Sequence, residues 1–512
     1  MKHRFLKAIC ALCLVPAFLT GCWHEDTEEP DSGQLLISQE LAEPVQEEVI
    51  LPTVFTLPYV SGQSLDSVTC ADGMQQVVGA LLYEGLFQLD TQLEPQPLLC
   101  SGYTYAPETY TYVFSLRSGV TFTDGSPLTA GDVVQTLRRA MSSVRYGARL
   151  KNVASITAGD GTVTVVLTEP STGFAALLDI PIVKAGTESE PFPTGTGPYA
   201  YSGEGSPHLT ANRSWWQSGS QPLETICLSA AGDRDTMLYQ FTSHDIQLIT
   251  ADLTGTVPIS VTGSISFQDA DTTILQYVGI NTQKAPFNSG ALRSALSLGI
   301  NRTAVVGAYL SGHGAAAQFP VSPVSPLYPS ELEETYSYDA FAGAMAEAGF
   351  ASGSTRTATL LVNSENSFKV SAAEQIAQAL SAFDLKVEVQ ALPWEEYSAA
   401  LAAGSFDLYY AEVKLTADWD LTPLLATGGT LNYGGWSNAQ TDHLLAAYAG
   451  ASDRSAALKA LCAHLRQQSP ILPVCFKSTS VLVQTDVVEG LNPTMTNPFY
   501  DFTSCTVHLR EE

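Results

Sequence analysis

Residues that could perform acid–base, nucleophilic or metal chemistry are dispersed along this 512-residue chain. It contains no G-x-S-x-G, H-E-x-x-H or G-x-x-x-x-G-K-[ST] motif, so neither hydrolase chemistry nor an ATP-binding loop is indicated. Beyond the N-terminal segment, no C-x-x-C pair or Cys/His cluster has the spacing of metal ligands. We therefore predict that the protein is not an enzyme, and we predict no cofactor and no metal site.

Cys22 is the cysteine whose position has the clearest chemical meaning. A short basic segment precedes the apolar run Ala8–Phe18, which is the layout of a secretory signal. The run ends in Leu19-Thr20-Gly21-Cys22, a pattern that resembles the bacterial lipobox; the alternative is an ordinary signal peptide with an incidental cysteine. We predict a lipoprotein signal peptide over residues 1–21, lipid attachment at Cys22, and a location on the extracytoplasmic face of the cell membrane.

Charge is distributed unevenly along the chain. The chain has 52 acidic and 24 basic residues, a net charge of −28, and no basic cluster that would favour nucleic acid as a partner. Residues 22–48 include many acidic side chains and no Lys or Arg, which predicts a flexible linker; an acidic interaction tail is the alternative. The six cysteines of the body could remain free thiols or form one or two disulfides.

Apolar periodicity predicts the elements around residues 110–141. Alternating side chains predict a strand over Tyr110–Leu116 and a return strand through Val120 and Phe122. Thr129 and Asp132 have the spacing of a capping box. They predict a helix with the apolar face Val133, Leu137, Ala140 and Met141.

Helical spacing is followed by strand-like alternation in three further stretches, 237–249, 376–389 and 458–475. This order predicts an α/β fold with mixed sheets. No fixed-period repeat is present, so a solenoid or propeller is not indicated.

Ten stretches, taken together and in this order, resemble one protein family: the extracytoplasmic solute-binding lipoproteins of ABC importers, family 5, which includes oligopeptide, dipeptide and nickel binders. They are SLDS (64–67), LLYEGLFQLD (81–90), YTYVFSLRSGVTFTDGSPLTAGDVV (110–134), GTGPY (195–199), ANRSWW (211–216), YVGINTQKAPFN (277–288), LRSALSLGINRTAVV (292–306), YSYDAFAGAMAEAGF (336–350), GSFDL (404–408) and GGWSNAQTDHLL (434–445).

The resemblance implies a periplasmic-binding-protein-like type II fold, with two lobes, a hinge and an inserted domain. Lobe I would comprise residues 49–82, 186–272 and 480–512, the inserted domain 83–185, and lobe II 273–479. Ligand would bind between the lobes, and hinge closure would enclose it. The implied partners are an oligopeptide or another small solute, an ABC permease with its ATPase, and the membrane through the lipid anchor; we expect a monomer.

Asp418, in Thr416-Ala417-Asp418-Trp419, is the most specific binding residue that the resemblance implies. Peptide-binding members have an aspartate in such a stretch that pairs with the ligand's α-amino group, and a carboxylate suits an ammonium through charge-assisted hydrogen bonds. Without the flanking match, Asp418 would be interpreted as a solvated loop or helix-capping residue. Weaker correspondence implies ligand contacts at Thr416, Trp419, Trp394, Tyr146, Ala71 and Gly73, and ordinary packing is the alternative for the two aromatic residues at 146 and 394.

The chain also departs from the family pattern. Some peptide binders have an arginine on the strand after the Gly-x-Phe-Asp motif, where this chain has Tyr409, Tyr410 and Glu412, so recognition of a ligand carboxylate is in doubt. The function implied is capture of short peptides for import. The alternatives are a surface lipoprotein for signalling or sensing on the same fold, and an importer component for a nickel chelate or another small solute.

Overall fold

The computed structural model describes residues 51–203, 205–217, 219–259, 261, 263–351 and 353–511. Cys22, the signal peptide and the acidic linker lie outside the described residues. No helix in the described part of the chain combines the length and apolar character needed to span a bilayer.

Strands and helices alternate along the described residues. The strands are β1 (Thr56–Tyr59), β2 (Phe87–Leu89), β3 (Pro95–Pro97), β4 (Cys100–Ala106), β5 (Thr111–Leu116), β6 (Val153–Ala158), β7 (Thr162–Leu167), β8 (Tyr199–Ser202), β9 (His208–Ala211), β10 (Thr225–Ala230), β11 (Leu248–Ala251), β12 (Ile265–Ile280), β13 (Gly314–Ala316), β14 (Arg356–Asn363), β15 (Leu385–Leu392), β16 (Leu408–Lys414), β17 (Ile471–Gln484), β18 (Val488–Glu489) and β19 (Thr506–Val507).

The helices are α1 (Gly73–Leu82), α2 (Ala130–Met141), α3 (Arg234–Thr242), α4 (Gly290–Leu298), α5 (Arg302–Tyr309), α6 (Tyr338–Glu347), α7 (Ser367–Leu380), α8 (Trp394–Ala402), α9 (Thr422–Leu425), α10 (Ala439–Gly450) and α11 (Arg454–Gln468). Short 3₁₀ segments occur at Phe174–Leu177, Ser330–Leu332 and Phe502–Ser504.

Three larger sheets organise these elements. A four-stranded sheet has the order β1-β10-β9-β8, a second has the order β4-β5-β7-β6, and a seven-stranded sheet has the order β11-β17-β12-β16-β14-β15 with β13 paired to β17. β14 runs parallel to β15 and β16, whereas β12 runs antiparallel to β16 and β17. The predicted α/β architecture with mixed sheets is therefore confirmed.

The long strands β12 and β17 pair over most of their length, from Ile265 opposite Gln484 to Gly279 opposite Ile471. The predicted lobe limits at 272/273 and 479/480 fall inside these two strands, and the division of the chain into lobes stays a prediction. The three predicted helix-to-strand stretches are confirmed as α3 with β11, α7 with β15, and α11 with β17.

The capping box that was predicted for α2 is present. The Thr129 hydroxyl accepts a hydrogen bond from the Asp132 N–H at 3.4 Å, and Asp132 Oδ2 accepts one from the Thr129 N–H at 2.9 Å. Val133, Leu137 and Ala140 are buried, as expected for the face that packs on the sheet.

The predicted return strand through Val120 and Phe122 is wrong. Thr121 forms only an isolated bridge with Pro127, and β5 pairs with β4 on one side and β7 on the other. Because both edges of β5 are occupied, this segment has no strand edge to join and folds into a turn, in which the Phe122 N–H donates to the Ser126 carbonyl at 2.8 Å.

The glycines of GTGPY are required by a close approach to the end of α1. A Cβ atom on Gly195 would lie 2.0 Å from the Leu82 carbonyl oxygen. The Gly197 N–H donates to the same oxygen at 2.9 Å, so the backbone at 195–197 packs directly on the helix end. This contact positions the residues that follow α1, beginning at Tyr83 and Glu84, beside the cavity described below.

Candidate ligand-binding site

A cavity of about 920 Å³ lies among the described residues. Its wall includes residues from 80–89, 145–152, 171–181, 413–424 and 495–503. The volume lies within the ~300–1,000 Å³ range of small-molecule sites. Segments far apart in sequence therefore converge on one space large enough for a small solute.

Asp418 lies in this wall, just beyond the end of β16. The residue is 8% exposed, and its Oδ1 accepts hydrogen bonds from the Thr416 hydroxyl at 2.5 Å and the Asp420 N–H at 3.3 Å. Burial raises the pKa of the Asp418 carboxyl, although the hydrogen bond from Thr416 opposes the shift. Both hydrogen bonds to this carboxyl come from neutral donors, and the nearby positive charge of Arg454 opposes the rise of its pKa.

The backbone around Asp418 is held by two further groups. Its carbonyl oxygen accepts hydrogen bonds from the Tyr448 hydroxyl at 2.8 Å and from Arg454 at 2.6 Å. Opposite, a Cβ on Gly173 would lie 2.9 Å from the Asp418 Cβ, so only glycine permits this packing. The position of the carboxyl is therefore set by its surroundings before any ligand binds.

The structure brings two further predicted residues to the cavity. Thr416 lines the wall and donates to Asp418. Tyr146 also lines it, is 4% exposed, and its ring lies 4.9 Å from the Arg145 guanidinium carbon and 5.4 Å from that of Arg149. These contacts give Tyr146 a part in orienting the cationic side chains on either side of it.

Four other predicted residues are not in this wall. Trp419 is fully buried, with its ring centroid 5.9 Å from that of Phe476, because a left-handed backbone (φ 55°) turns the chain there. Trp394 begins α8 and is 54% exposed, away from the cavity. Gly73 lines a separate hollow of about 420 Å³ at the start of α1, and Ala71 is exposed and lines neither.

Sequence reasoning missed the cationic side chains of the wall. These are Arg145, Arg149, Lys151 and Lys414. Arg149 pairs with Asp179, and Lys151 lies 3.7 Å from Asp420. Lys414 stands four residues before Asp418, and that spacing at the end of a predicted strand was the available signal.

Glu84, in the motif LLYEGLFQLD, was also missed. It is 6% exposed, lines the cavity, and accepts hydrogen bonds from Trp215 and Gln217 on Oε1 and from Trp216 and Thr196 on Oε2. Burial raises its pKa to about 7, against the effect of the four donors. Through these hydrogen bonds, Glu84 connects the end of α1 to the GTGPY and ANRSWW stretches.

The six cysteines of the described chain, Cys70, Cys100, Cys227, Cys462, Cys475 and Cys505, are all free thiols. Of the two alternatives left open by the sequence, the structure contains the first. Within the described residues, no group of three or more His, Cys, Asp or Glu side chains is placed to hold a metal ion.

Residues 94–432 match the model of the bacterial extracellular solute-binding proteins, family 5 (middle region). The chain belongs to this family. Members are solute-binding proteins of ABC importers, that is, transport components rather than enzymes. A family 5 chain has the periplasmic-binding-protein-like type II fold, with two lobes of mixed sheets, a hinge and an inserted domain.

The glutathione-binding protein GsiB of Escherichia coli (strain K12) is 26% identical over 445 residues, which cover 80% of this chain and 86% of GsiB. HbpA2 from Haemophilus parasuis has a similar structure, with a TM-score of 0.73 at 20% identity, covering 89% of this chain and 100% of that one. A nickel ABC transporter protein from Bacillus halodurans gives a TM-score of 0.74 at 19% identity, covering 87% and 98%. The names of GsiB and of the Bacillus halodurans protein thus refer to different ligands, glutathione and nickel.

Proposed function

We propose that this protein captures short peptides and delivers them to an ABC permease, and that Asp418 binds the α-ammonium group of the peptide. The observation that carries the proposal is a buried carboxylate in the wall of a 920 Å³ cavity, whose two hydrogen bonds among the described residues come from neutral donors. The Thr416 hydroxyl and the Asp420 N–H fix the carboxylate, and its remaining lone pairs suit the three donors of an ammonium.

The Coulomb energy supports binding of an ammonium at this position. At about 4 Å and an intermediate effective dielectric, two opposite charges attract by about 4 kcal/mol. Desolvation of both groups offsets much of that attraction, so the net contribution is about 1.5–3 kcal/mol, as for other hydrogen bonds to charged groups. This corresponds to about a 10- to 100-fold effect on affinity.

The similarity of this chain to GsiB is compatible with a peptide ligand for this chain. Its name states that it binds glutathione, and glutathione is a tripeptide with a free α-ammonium group. We include glutathione among the candidate ligands of this chain for that reason. The proposal also keeps the predicted anchor, with diacylation at Cys22 and the acidic residues 22–48 as a tether that keeps captured peptide near the permease.

The experiment compares trialanine, glutathione and N-acetyl-trialanine by isothermal titration calorimetry with wild type and Asp418→Asn. The amide oxygen introduced by this substitution can still accept from Thr416 and Asp420, so the variant removes the charge with little change of shape. We expect wild type to bind a free-amine peptide about 10- to 100-fold more tightly than the variant does, and to reject the acetylated peptide.

Asp339→Asn is the matched control, because Asp339 is exposed on α6 and does not line the cavity. It should bind as wild type does. Native mass spectrometry of protein purified from a rich lysate tests the ligand class independently. A bound metal chelate or sugar in place of peptides would contradict the proposal. So would equal affinities of wild type and Asp418→Asn for the free and the acetylated peptide.

A further inference from the structure

The pairing of the two long strands β12 and β17 is interrupted beside Lys477. The register shifts between Asp271 and Leu275 of β12. Residues 272–274 therefore face the single residue Lys477 on β17, and the Thr272 hydroxyl donates to the Lys477 carbonyl at 2.6 Å. A bulge of this kind bends the strand that contains it. Because the predicted border between the lobes falls at 272/273, a rotation of one lobe against the other would bend the sheet here.

Lys477 is buried at this bulge and pairs with two carboxylates. Its side chain is 2% exposed, and its Nζ lies 2.6 Å from Asp252 Oδ2 and 3.5 Å from Glu412 Oε2. Asp252 follows β11 in predicted lobe I, whereas Lys477 and Glu412 belong to predicted lobe II. All three side chains lie outside the wall of the 920 Å³ cavity. An ion pair therefore joins the two predicted lobes at a place that the ligand does not reach.

A hydrogen bond joins the same two sides of the border. Asn366 is the N-cap of α7 in predicted lobe II, and its Nδ2 donates to the Thr254 carbonyl in predicted lobe I at 3.1 Å. The Thr254 N–H donates in turn to Asp252 Oδ1 at 3.1 Å, and Lys369 of α7 lies 3.2 Å from Glu412. These contacts form one connected network. We call it the hinge clamp: Asp252, Thr254, Asn366, Lys369, Glu412 and Lys477.

The conformation in which the clamp is formed also has its cavity walls in contact. The Thr172 N–H, in the predicted inserted domain, donates to the Ala449 carbonyl of α10 in predicted lobe II at 2.8 Å. The next residue, Gly173, packs against Asp418. Both ends of the inserted domain continue into lobe I, so these contacts close the cavity between the lobes. Hydrogen bonds weaken steeply with distance and angle, so the clamp and the closed rim fit the same orientation of the lobes.

We propose that the hinge clamp stabilises the closed arrangement of the lobes before any ligand binds. Its contacts lie at the bulge, and rotation about the bulge separates Thr172 from Ala449 only if it also strains or breaks them. The fraction of free protein that is closed scales the affinity for every ligand that requires the closed cavity. The clamp residues are thus positioning residues, which act on the ligand site without touching the ligand.

A purely structural ion pair is the alternative role for Lys477, and the two roles predict different results. Loss of a buried structural pair lowers the free energy of unfolding and leaves the orientation of the lobes unchanged. Loss of the clamp opens the rim at Thr172 while the rest of the fold stays intact. The discriminating measurement is therefore hydrogen exchange of the Thr172 amide in the protein without ligand.

Two variants break the clamp in different ways. Asn366→Ser keeps the cap of α7, because serine is as good an N-cap as asparagine, but it removes the amide that donates to Thr254. Lys477→Met keeps much of the volume of the side chain and removes its charge. No carboxylate is left buried and unpaired in this variant, since Glu412 keeps Lys369 as a partner and Asp252 is 46% exposed.

The Thr172 amide should be protected from exchange in wild type. Its exchange should be about fivefold faster in Asn366→Ser, which is the effect of one lost hydrogen bond on an equilibrium constant, and at least as much faster in Lys477→Met. The radius of gyration from small-angle X-ray scattering should increase in both variants. The Val165 amide, on the central strand β7 of the same predicted domain, should exchange as in wild type.

Each variant has a matched control. Asn301→Ser changes the N-cap of α5 in the same way, and Asn301 is not part of the clamp. Lys386→Met removes an exposed lysine that pairs with Glu388 on β15 at 2.6 Å. Both controls should keep the wild-type exchange of Thr172 and the wild-type radius of gyration.

Three results would overturn the inference. They are an unprotected Thr172 amide in wild type, clamp variants with unchanged exchange and radius of gyration, and equal increases of exchange at Thr172 and Val165, which would indicate lost stability instead of opening. All measurements use the protein without ligand. Failure of the clamp therefore leaves peptide binding at Asp418 intact, and failure of trialanine to bind leaves the clamp intact.

Discussion

Glu84 allows the effect of burial to be measured through the pH dependence of stability. Its carboxyl is 6% exposed and receives four hydrogen bonds, from Trp215, Trp216, Gln217 and Thr196. Burial nevertheless raises its pKa from 4.5 to about 7. At about 1.4 kcal/mol per pKa unit, this difference corresponds to about 3 kcal/mol of unfolding free energy.

The direction in which the free energy of unfolding changes with pH follows from proton binding to Glu84. Below about pH 4.5, Glu84 is protonated in both the folded and the unfolded chain, and its contribution is constant. Between pH 4.5 and about 7 the unfolded chain loses the proton while the folded chain retains it. The free energy of unfolding should therefore fall by about 3 kcal/mol over this interval and change little through Glu84 at higher pH.

The perturbation is Glu84→Gln, which removes the titration and keeps the size of the side chain. The amide group has a donor where the carboxylate has only acceptors. The substitution therefore lowers the free energy of unfolding by an amount that does not vary with pH. Urea unfolding of both proteins at pH 4.5 and pH 8 gives the difference in unfolding free energy at each pH. This difference should move by about 3 kcal/mol in favour of the variant as pH rises.

Glu388→Gln provides the control, because it removes one carboxylate from a side chain that is 54% exposed. The difference in unfolding free energy between Glu388→Gln and wild type should change far less between pH 4.5 and pH 8. A difference between wild type and Glu84→Gln that stays constant over this range would refute the reasoning. It would mean that the four donors outweigh burial and keep Glu84 ionised.

Two further predictions follow from the site and from packing. In calorimetric titrations, the affinity for trialanine should fall as pH is lowered through the raised pKa of Asp418. It should also fall above about pH 8, where the peptide amine loses its proton. Asp418→Asn should not show the fall in affinity at low pH. Gly279→Ala should destabilise the protein by about 1–3 kcal/mol in urea unfolding, since a Cβ would lie 2.0 Å from the Tyr409 ring. Gly307 lies in open space on α5, so Gly307→Ala should be neutral or stabilising by up to about 1 kcal/mol. A similar decrease in unfolding free energy for Gly279→Ala and Gly307→Ala would contradict the packing argument.

Local patterns in the sequence predicted the local elements well. The capping box of α2 and the helix-to-strand stretches depend on residues close in sequence, so periodicity and spacing suffice to predict them. The return strand through Val120 and Phe122 failed for a non-local reason, because β4 and β7 already occupy both edges of β5. Alternation indicates that a segment can be a strand, but it does not indicate which edges are free.

The candidate site was only partly predictable for the same reason. Asp418 and Thr416 were predicted from the family resemblance of the stretch Thr416–Trp419, and both line the cavity; their role in ligand binding stays a prediction. The same stretch also suggested Trp419, whose side chain turns instead into the core against Phe476. Arg149 and Lys414 line the same cavity although they are more than 260 residues apart in the sequence, and no local pattern predicts that they share it.

The raised pKa of Asp418 explains how a buried carboxyl that accepts hydrogen bonds only from neutral donors is tolerated. An isolated buried charge costs several kcal/mol, but a carboxyl with a raised pKa avoids much of that cost by holding a proton. The Thr416 hydroxyl can remain beside either form, because it can donate to a carboxylate or accept from the neutral acid. On our proposal the ligand's ammonium then replaces the proton, so peptide binding should release a fraction of a proton near the pKa of Asp418. Calorimetry in buffers of different ionisation enthalpy measures that release, and Asp418→Asn should abolish it; a release that persists in the variant would assign the proton to another group.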